Sequence, residues 1–338
     1  MGVKILGTGS YLPPKEVSND DLALSLDTSD DWIFSHTGIH SRHIAGDEDC
    51  TSAMAVKAAR QALEAAQVKP EDVGAIILAT STPDFNTFPA TACVVQRELG
   101  CVKAAAYDLQ AACTGFIYAL EQARGYLGLH PARPVLVIGA ETLSRVVDWT
   151  DRGTCILFGD GAGAMVLGAT EGDGPAWITH LGADGTGAEF IAREGGTRFA
   201  PGSEAGAAVR PGLTMNGRPV FNFAVKTFAE IVEGLCSEAG VEPMSLDRVF
   251  AHQANGRIIE AAARRMRLPM EKFFMNIVHT GNTSAASVPI ALDQAVRGGV
   301  LKDGMRVVMA GFGAGLTYGG TLLTWPGQTG GGEGVSGQ

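Results

Sequence analysis

Apolar and polar positions along the chain switch between a helical period and unbroken apolar runs. From Ala55, "AVKAARQALEAAQVKPEDVGAIILATS" spaces its apolar residues as one face of a helix, turns at Val68 and Pro70, then runs apolar through Ile76. That order predicts an amphipathic helix, a turn and a buried strand. From Ala224, "AVKTFAEIVEGLCSEAGVEPMSLDRVFAHQAN" predicts the same series, with Val241 and Pro243 in the turn. Pro70 and Pro243 match at the same offset as Ile76 and Val249.

Other blocks repeat in the same order. "DLQAACTGFIYALEQA" from Asp108 pairs with "NIVHTGNTSAASVPIALDQA" from Asn276. "PVLVIGAETL" from Pro134 pairs with "RVVMAGFGAG" from Arg306, and "GAMVLGAT" from Gly163 with "GGTLLTWP" from Gly319. Alternating helices and strands predict a layered α/β protein. The repeat divides it into two duplicated halves, residues 1–172 and 173–327, each too long for a solenoid unit. Residues 328–338, with "GGGEGVSGQ", read as a Gly-rich disordered tail.

The bulk numbers narrow the class. The chain has 338 residues, 46% hydrophobic and 18% charged, the composition of a compact soluble protein. No stretch approaches the roughly 20 apolar residues of a membrane span. The N-terminal "MGVKILGTGSYLPPKEVSND" lacks a cationic region followed by an apolar signal core, and Leu6 stands where a myristoylation motif wants Ser or Thr. A cytoplasmic protein is expected. Six scattered cysteines without a CxxC predict reduced thiols rather than a disulfide framework or zinc knuckle. A net charge of −10 argues against nucleic acid as a partner.

The repeat also says where chemistry belongs, because open α/β sheets bind ligands beyond the carboxyl ends of their strands. Cys113 stands between the alternating segment "AAYDLQ" and an apolar helix. Two readings of it stand: a small packed hydrophobe, as free cysteines usually are, or a nucleophile that a helix N-terminus favours as thiolate. Its counterpart region is the "HTGNTSAAS" turn around Asn282. His252 ends the strand "RVFAH" and precedes the polar Gln253 and Asn255. A thiolate taking an acyl group from a thioester makes an equally activated enzyme thioester, and neutral His and Asn donors can hold an enolate oxygen. The papain pattern around a Cys is absent. "FGDGAGAMVL" and "GFGAGLTYGG" are Gly-rich without the dinucleotide fingerprint. His36, His40 and His43 have metal-like spacing but no acidic or Cys ligand among them.

"DLQAACTGF", "AHQANGRII" and "GNTSAASVP" resemble the three active-site motifs of the β-ketoacyl-acyl carrier protein synthase III family, and the likeness runs from "ILGTGSYLP" to Trp325. The resemblance implies a thiolase-like five-layered αβαβα fold of two duplicated halves, usually a homodimer. It implies decarboxylative Claisen condensation of a short acyl-CoA with malonyl-acyl carrier protein, with no cofactor and no metal. Cys113, His252 and Asn282 would be catalytic, with the backbone N–H groups of Cys113 and Ala314 as oxyanion donors. Trp32 and Arg152 match positions that sandwich the CoA adenine. Gly217 and Phe221 match the pantetheine tunnel, with Arg257 beside it. Phe88, Leu143 and Phe158 match the primer pocket, Phe88 from a partner subunit. Gln253, Ala254, Asn255, Gly256, Arg257, Arg264 and Arg265 match the carrier-protein segment, although three arginines on a helix also read as a solvated face. His36, Thr280, Asn222 and Ala314 depart from the family pattern. Two other classes fit the residues less well: an acyltransferase passing its acyl group to a small acceptor, and a binding-only member of the fold.

Overall fold

The computed structural model describes residues 2–172, 176–194 and 212–326. The expected tail lies outside the described residues, and the expected junction at 172–173 falls at their edge.

The principal strands in chain order are β1 (Gly2–Tyr11), β2 (Ala75–Ala79), β3 (Ala105–Leu109), β4 (Val135–Glu141), β5 (Gly161–Thr170), β6 (Trp177–Ala183), β7 (Arg248–Ala251), β8 (Arg306–Gly313) and β9 (Thr317–Thr324). The principal helices are α1 (Asp30–Thr37), α2 (Thr51–Ala66), α3 (Thr91–Leu99), α4 (Gly115–Leu129), α5 (Gly217–Glu238), α6 (Gly256–Met266) and α7 (Ser287–Arg297). One sheet runs β1-β5-β4-β2-β3 and the other β7-β8-β9-β6. In the first, β4 is parallel to β2 and antiparallel to β5, which is antiparallel to β1. In the second, β8 is parallel to β7 and antiparallel to β9, which is antiparallel to β6. The repeat of the sequence is thus a repeat of strand directions. The position matching β3 is reduced to one parallel bridge between Val249 and Phe273.

Strands β2 and β4 are buried throughout, and apolar but for Glu141 at the end of β4, because both faces are covered. On the outer side of the first sheet, Ala55, Ala59, Ala62 and Leu63 of α2 pack with Val95 of α3. On the outer side of the second, Phe228, Val232 and Leu235 of α5 pack with Ile259 and Ala263 of α6. Between the sheets lie Phe116, Ile117 and Leu120 of α4 with Val288, Ala291 and Leu292 of α7. Five layers result, and burying each such large side chain is worth about 1.5–3 kcal/mol. Among the described residues no helix is long and apolar enough to cross a membrane.

The two central helices begin alike. Ala112–Thr114 forms a 3₁₀ turn before α4, and Ser284–Ala286 forms one before α7. Each turn opens on a non-Gly residue with positive φ, Ala112 at 45° and Ser284 at 46°. The residue matching Cys113 is therefore Ala285, three positions past Asn282. Gly139 of β4 lets this second turn lie on the sheet, since a Cβ there would stand 2.3 Å from the Ala285 carbonyl oxygen.

Candidate active site

Cys113 is the middle residue of the first 3₁₀ turn, just ahead of regular helix α4. It opens onto a cavity of about 1400 Å³ that His252, Asn282, Ser284, Phe312, Gly313 and Ala314 also line. The chain passes Cys113 on β8 through glycines: a Cβ on Gly311 would meet the Cys113 carbonyl oxygen at 3.4 Å and the His252 Cβ at 3.8 Å. Nucleophile and imidazole therefore flank one residue of that strand. Of the two readings of Cys113, burial opposes a resting thiolate. Burial pushes the Cys113 thiol up to about 12, and the Glu141 charge adds to the rise against a hydrogen bond from Ser284. Desolvation is the largest of these effects and favours the thiol at rest.

His252 follows the last residue of β7 and is 1% exposed. Its Nδ1 is 2.7 Å from the Ser287 hydroxyl at the start of α7, and its ring meets Phe312 edge-on at 5.5 Å between centroids. Burial lowers its pKa to about 3, so the imidazole is neutral at physiological pH.

Asn282 is held by its backbone. Its N–H donates to Leu157 O at 2.8 Å, and its carbonyl accepts from Gly159 N–H at 3.0 Å. Its Oδ1 accepts from Ser284 N–H at 2.9 Å, which leaves the side-chain NH2 as the donor. The turn it leans on is fixed by Arg42, wholly buried, whose guanidinium donates to Ile156 O at 2.7 Å and Val17 O at 3.2 Å. Burial lowers the Arg42 pKa to about 10, which leaves it charged.

Sequence reasoning missed Glu141 and Ser284. Glu141 ends the otherwise apolar strand β4, has no exposed surface, and accepts from Thr82 Oγ1 at 2.6 Å and from Ser81 N–H. Burial raises its pKa to about 7, countered by hydrogen bonds from Thr82, Ser81, Ser284 and the Ala285 N–H. A carboxyl closing a seven-residue apolar strand was the signal available.

Residues expected around the rim divide into two groups. Leu143, Phe158, Gly217, Phe221, Ala254 and Asn255 line the cavity. Phe88 does not line it, and is 81% exposed. Trp32 and Arg152 come together, but in direct contact: the guanidinium carbon lies 4.6 Å from the indole centroid, and the His36 ring stacks on Trp32 at 4.3 Å. The carrier-protein segment needs the larger correction. Gln253 is wholly buried, donating to Ala251 O and Phe274 O while its Oε1 accepts from Asn276 and Ile277 N–H, so it is a loop brace and not a docking contact. Gly256 is buried as well. Asn255 caps α6 through its Oδ1 and donates to His36 O. Arg257 is spent on Phe34 O, Ser35 O and Glu260. Arg264 and Arg265 are exposed on the last turn of α6.

Residues 107–185 match the family model described as 3-oxoacyl-[acyl-carrier-protein (ACP)] synthase III, and residues 236–325 the model of its C-terminal part. A β-ketoacyl-[acyl-carrier-protein] synthase III of Caldanaerobacter subterraneus is 47% identical over 322 residues, 95% of this chain and 97% of that protein. One of Clostridium acetobutylicum is 45% identical, covering 96% and 98%. The crystal structure of the 3-oxoacyl-[acyl-carrier-protein] synthase III of Aquifex aeolicus matches at a TM-score of 0.88 and 44% identity, over 96% of this chain and all of that one.

Proposed function

The chain belongs to the 3-oxoacyl-[acyl-carrier-protein] synthase III family, and from that membership we propose how its own residues divide the work of the condensing reaction. The protein is a thiolase-like acyltransferase that initiates type II fatty acid synthesis, and acyl-CoA and malonyl-acyl carrier protein are its substrates, with no cofactor required. The observation that carries the assignment is the convergence of Cys113, His252 and Asn282 on one cavity.

In the first half-reaction the Cys113 sulfur attacks the acyl-CoA carbonyl, its proton is released, and CoA departs as a thiol. The N–H groups of Cys113 and Ala314 hold the oxyanion. In the second, malonyl-acyl carrier protein enters. The Ser287 hydroxyl donating to Nδ1 puts the His252 proton on Nε2, so His252 and the Asn282 NH2 both donate to the malonyl thioester oxygen. Loss of CO2 leaves an enolate that these neutral donors stabilise without protonating its carbon. The enolate attacks the acyl-Cys carbonyl, and 3-oxoacyl-carrier protein leaves as the Cys113 sulfur is freed.

Leu143 and Phe158 bound the primer pocket, and exposed Phe88 closes the pocket of a second copy in a cytoplasmic homodimer. Gly217 and Phe221 line the pantetheine path, Trp32 and Arg152 receive the adenine, and Arg264 and Arg265 meet the acidic carrier. Intact-protein mass measurement after mixing with a panel of acyl-CoAs tests the first step, followed by CO2 release from malonyl-acyl carrier protein. A discrete adduct absent from Cys113→Ala, chased by malonyl-carrier protein with release of CO2, is expected. Equal loading of Cys113→Ala, or a stable adduct that malonyl-carrier protein cannot discharge, overturns the reading.

A further inference from the structure

The hydroxyl of Thr317, the first residue of β9, bonds to groups on two different segments. Its Oγ1 lies 3.0 Å from the Ala111 carbonyl oxygen, 3.0 Å from the Ala314 carbonyl oxygen and 3.0 Å from Thr114 Oγ1. A hydroxyl has one proton to give. The two carbonyls share it, so Thr114 Oγ1 is the donor in the third contact.

These partners adjoin the nucleophile on one side and the second oxyanion donor on the other. Ala111 O also accepts from Thr114 N–H at 3.1 Å, the bond that closes the 3₁₀ turn around Cys113. Thr114 is wholly buried, its Cα 3.5 Å from where a Cβ on Gly311 of β8 would stand. Ala314 carries both the N–H that is to hold the acyl oxygen and the carbonyl that Thr317 holds. It opens the short loop 314–316 between β8 and β9, whose ends Gly313 and Thr317 are paired. At the far end of that loop Leu316 exchanges two backbone hydrogen bonds with Asp184, both at 2.8 Å. Those bonds fix the loop within its own half of the chain. Thr317 ties it to the Cys113 turn, which belongs to the other half.

We propose that Thr317 is a positioning residue that sets the spacing of the two oxyanion donors, the N–H groups of Cys113 and Ala314. This rests on those groups being the oxyanion donors of the proposed reaction. Both must come within about 2.7–3.1 Å of one oxygen as it gains charge. One donor belongs to a helix-start turn and the other to a hairpin loop more than half the chain away, so covalent geometry does not hold them at that distance. A single hydroxyl bonded to a carbonyl of each segment does. Thr317 takes no proton from the reaction and forms no bond to the acyl group. Its effect is felt when the acyl carbonyl becomes tetrahedral, because misplacing a donor by a fraction of an ångström weakens its bond to the oxyanion.

Acylation of Cys113 by the acyl-CoA that loads wild type best is followed by mass, over a range of donor concentrations, in wild type, Thr317→Val and Thr317→Ser. p-Nitrophenyl acetate, which also forms a tetrahedral oxyanion but carries no CoA, is run on the same three proteins. Iodoacetamide, which alkylates the sulfur at a saturated carbon with no oxyanion, reports on the nucleophile alone. Thr317→Val keeps the volume and loses the hydroxyl. Its maximal acylation rate should fall at least about ten-fold with either acyl donor, approaching the roughly 100-fold of losing one oxyanion donor outright. The acyl-CoA concentration at half-maximal rate, and the alkylation rate, should stay within about two-fold of wild type. Thr317→Ser should return acylation to within about three-fold of wild type. Should Thr317→Val fail to fold, Thr317→Ala, which removes the hydroxyl without adding apolar bulk, must show the same loss. Acylation of Thr317→Val at the wild-type rate overturns the proposal, as does an equal fall in alkylation, a change confined to the half-maximal concentration, or no recovery in Thr317→Ser. A wild type that takes p-nitrophenyl acetate with this pattern yet no acyl-CoA refutes the proposed function and leaves Thr317 in its role. A wild type whose Cys113 accepts neither acyl donor refutes both.

Discussion

Gly313 lies against the nucleophile with no room for a side chain: a Cβ at 313 would stand 2.9 Å from both the Cβ and the backbone nitrogen of Cys113. Real Cβ atoms do not come that close to backbone, so strand β8 and the Cys113 turn fit each other only through this glycine. Gly313→Ala is expected to push the turn away from Ala314 and spoil the oxyanion pair. Acylation should fall by about 100-fold, the scale of losing one such donor, with about 1–3 kcal/mol of stability lost to overpacking. Gly311→Ala meets the same turn at an ordinary 3.4 Å, and should acylate within about ten-fold of wild type. Acyl-CoA loading rates for the two variants check the contrast.

Ser287 orients His252, and the two half-reactions separate its effect. Ser287→Ala removes the hydroxyl hydrogen-bonded to Nδ1, and with it the contact that, in the proposed mechanism, keeps the imidazole proton on the cavity side. CO2 release from malonyl-carrier protein should fall by about ten-fold or more, with the roughly 10²–10⁴-fold that a whole positioned group contributes as the ceiling. Acyl loading of Cys113 should be unchanged. A matching fall in both steps would mean that Ser287 supports the cavity generally rather than the tautomer.

Burying Glu141 has a thermodynamic consequence. Its pKa rises from 4.5 to about 7 in the folded chain, so between those values the folded state holds more proton than the unfolded one. Stability is lost as pH rises through that window, and above pH 7 the cost is fully present, at most about 3 kcal/mol. Glu141→Gln should unfold at higher denaturant than wild type at pH 8, with the difference vanishing below pH 4.5. His252 acts with the other slope, being neutral when folded down to about pH 3 and protonated when unfolded below 6.5. Its share of stability is lost as pH falls from 6.5. Denaturant midpoints of wild type and Glu141→Gln between pH 4.5 and 8 check the difference, in which the His252 contribution cancels.

The parts of this protein that follow a period were legible in the sequence. Helix Thr51–Ala66 and strand Ala75–Ala79, and their counterparts Gly217–Glu238 and Arg248–Ala251, follow from apolar spacing alone. Cys113, His252 and Asn282 stood out because their blocks recur at matched places. The rest depends on contacts between segments distant in sequence, which no period records. Gln253 reads as an exposed loop residue until the carbonyls of Ala251 and Phe274 surround it. Arg257 reads as a free cation until α1 supplies Phe34 O and Ser35 O. The positive φ of Ala112 and Ser284 leaves no mark in the sequence, since neither is Gly, and tertiary packing imposes it. The helix start alone favours a Cys113 thiolate, and the burial that opposes it is set by packing the sequence does not record.

The Trp32 ring has two stacking neighbours, the Arg152 guanidinium carbon 4.6 Å and the His36 ring 4.3 Å from its centroid. An adenine that stacks where either lies must displace it. Arg152 is also anchored by Asp27 O at 2.6 Å, and His36 by the Trp32 carbonyl oxygen at 2.7 Å. If adenine enters between Trp32 and Arg152, both are lost partners in the variants. Trp32→Ala and Arg152→Ala should then each raise the KM for acyl-CoA by about ten-fold, the equivalent of one stacking or cation–π contact. His36→Ala should leave it within two-fold. If adenine takes the His36 face, His36→Ala lowers KM and Arg152→Ala has little effect. Rates with an acyl-pantetheine, which has no adenine, should be insensitive to all three variants, and a fall there would place these residues in folding rather than donor recognition.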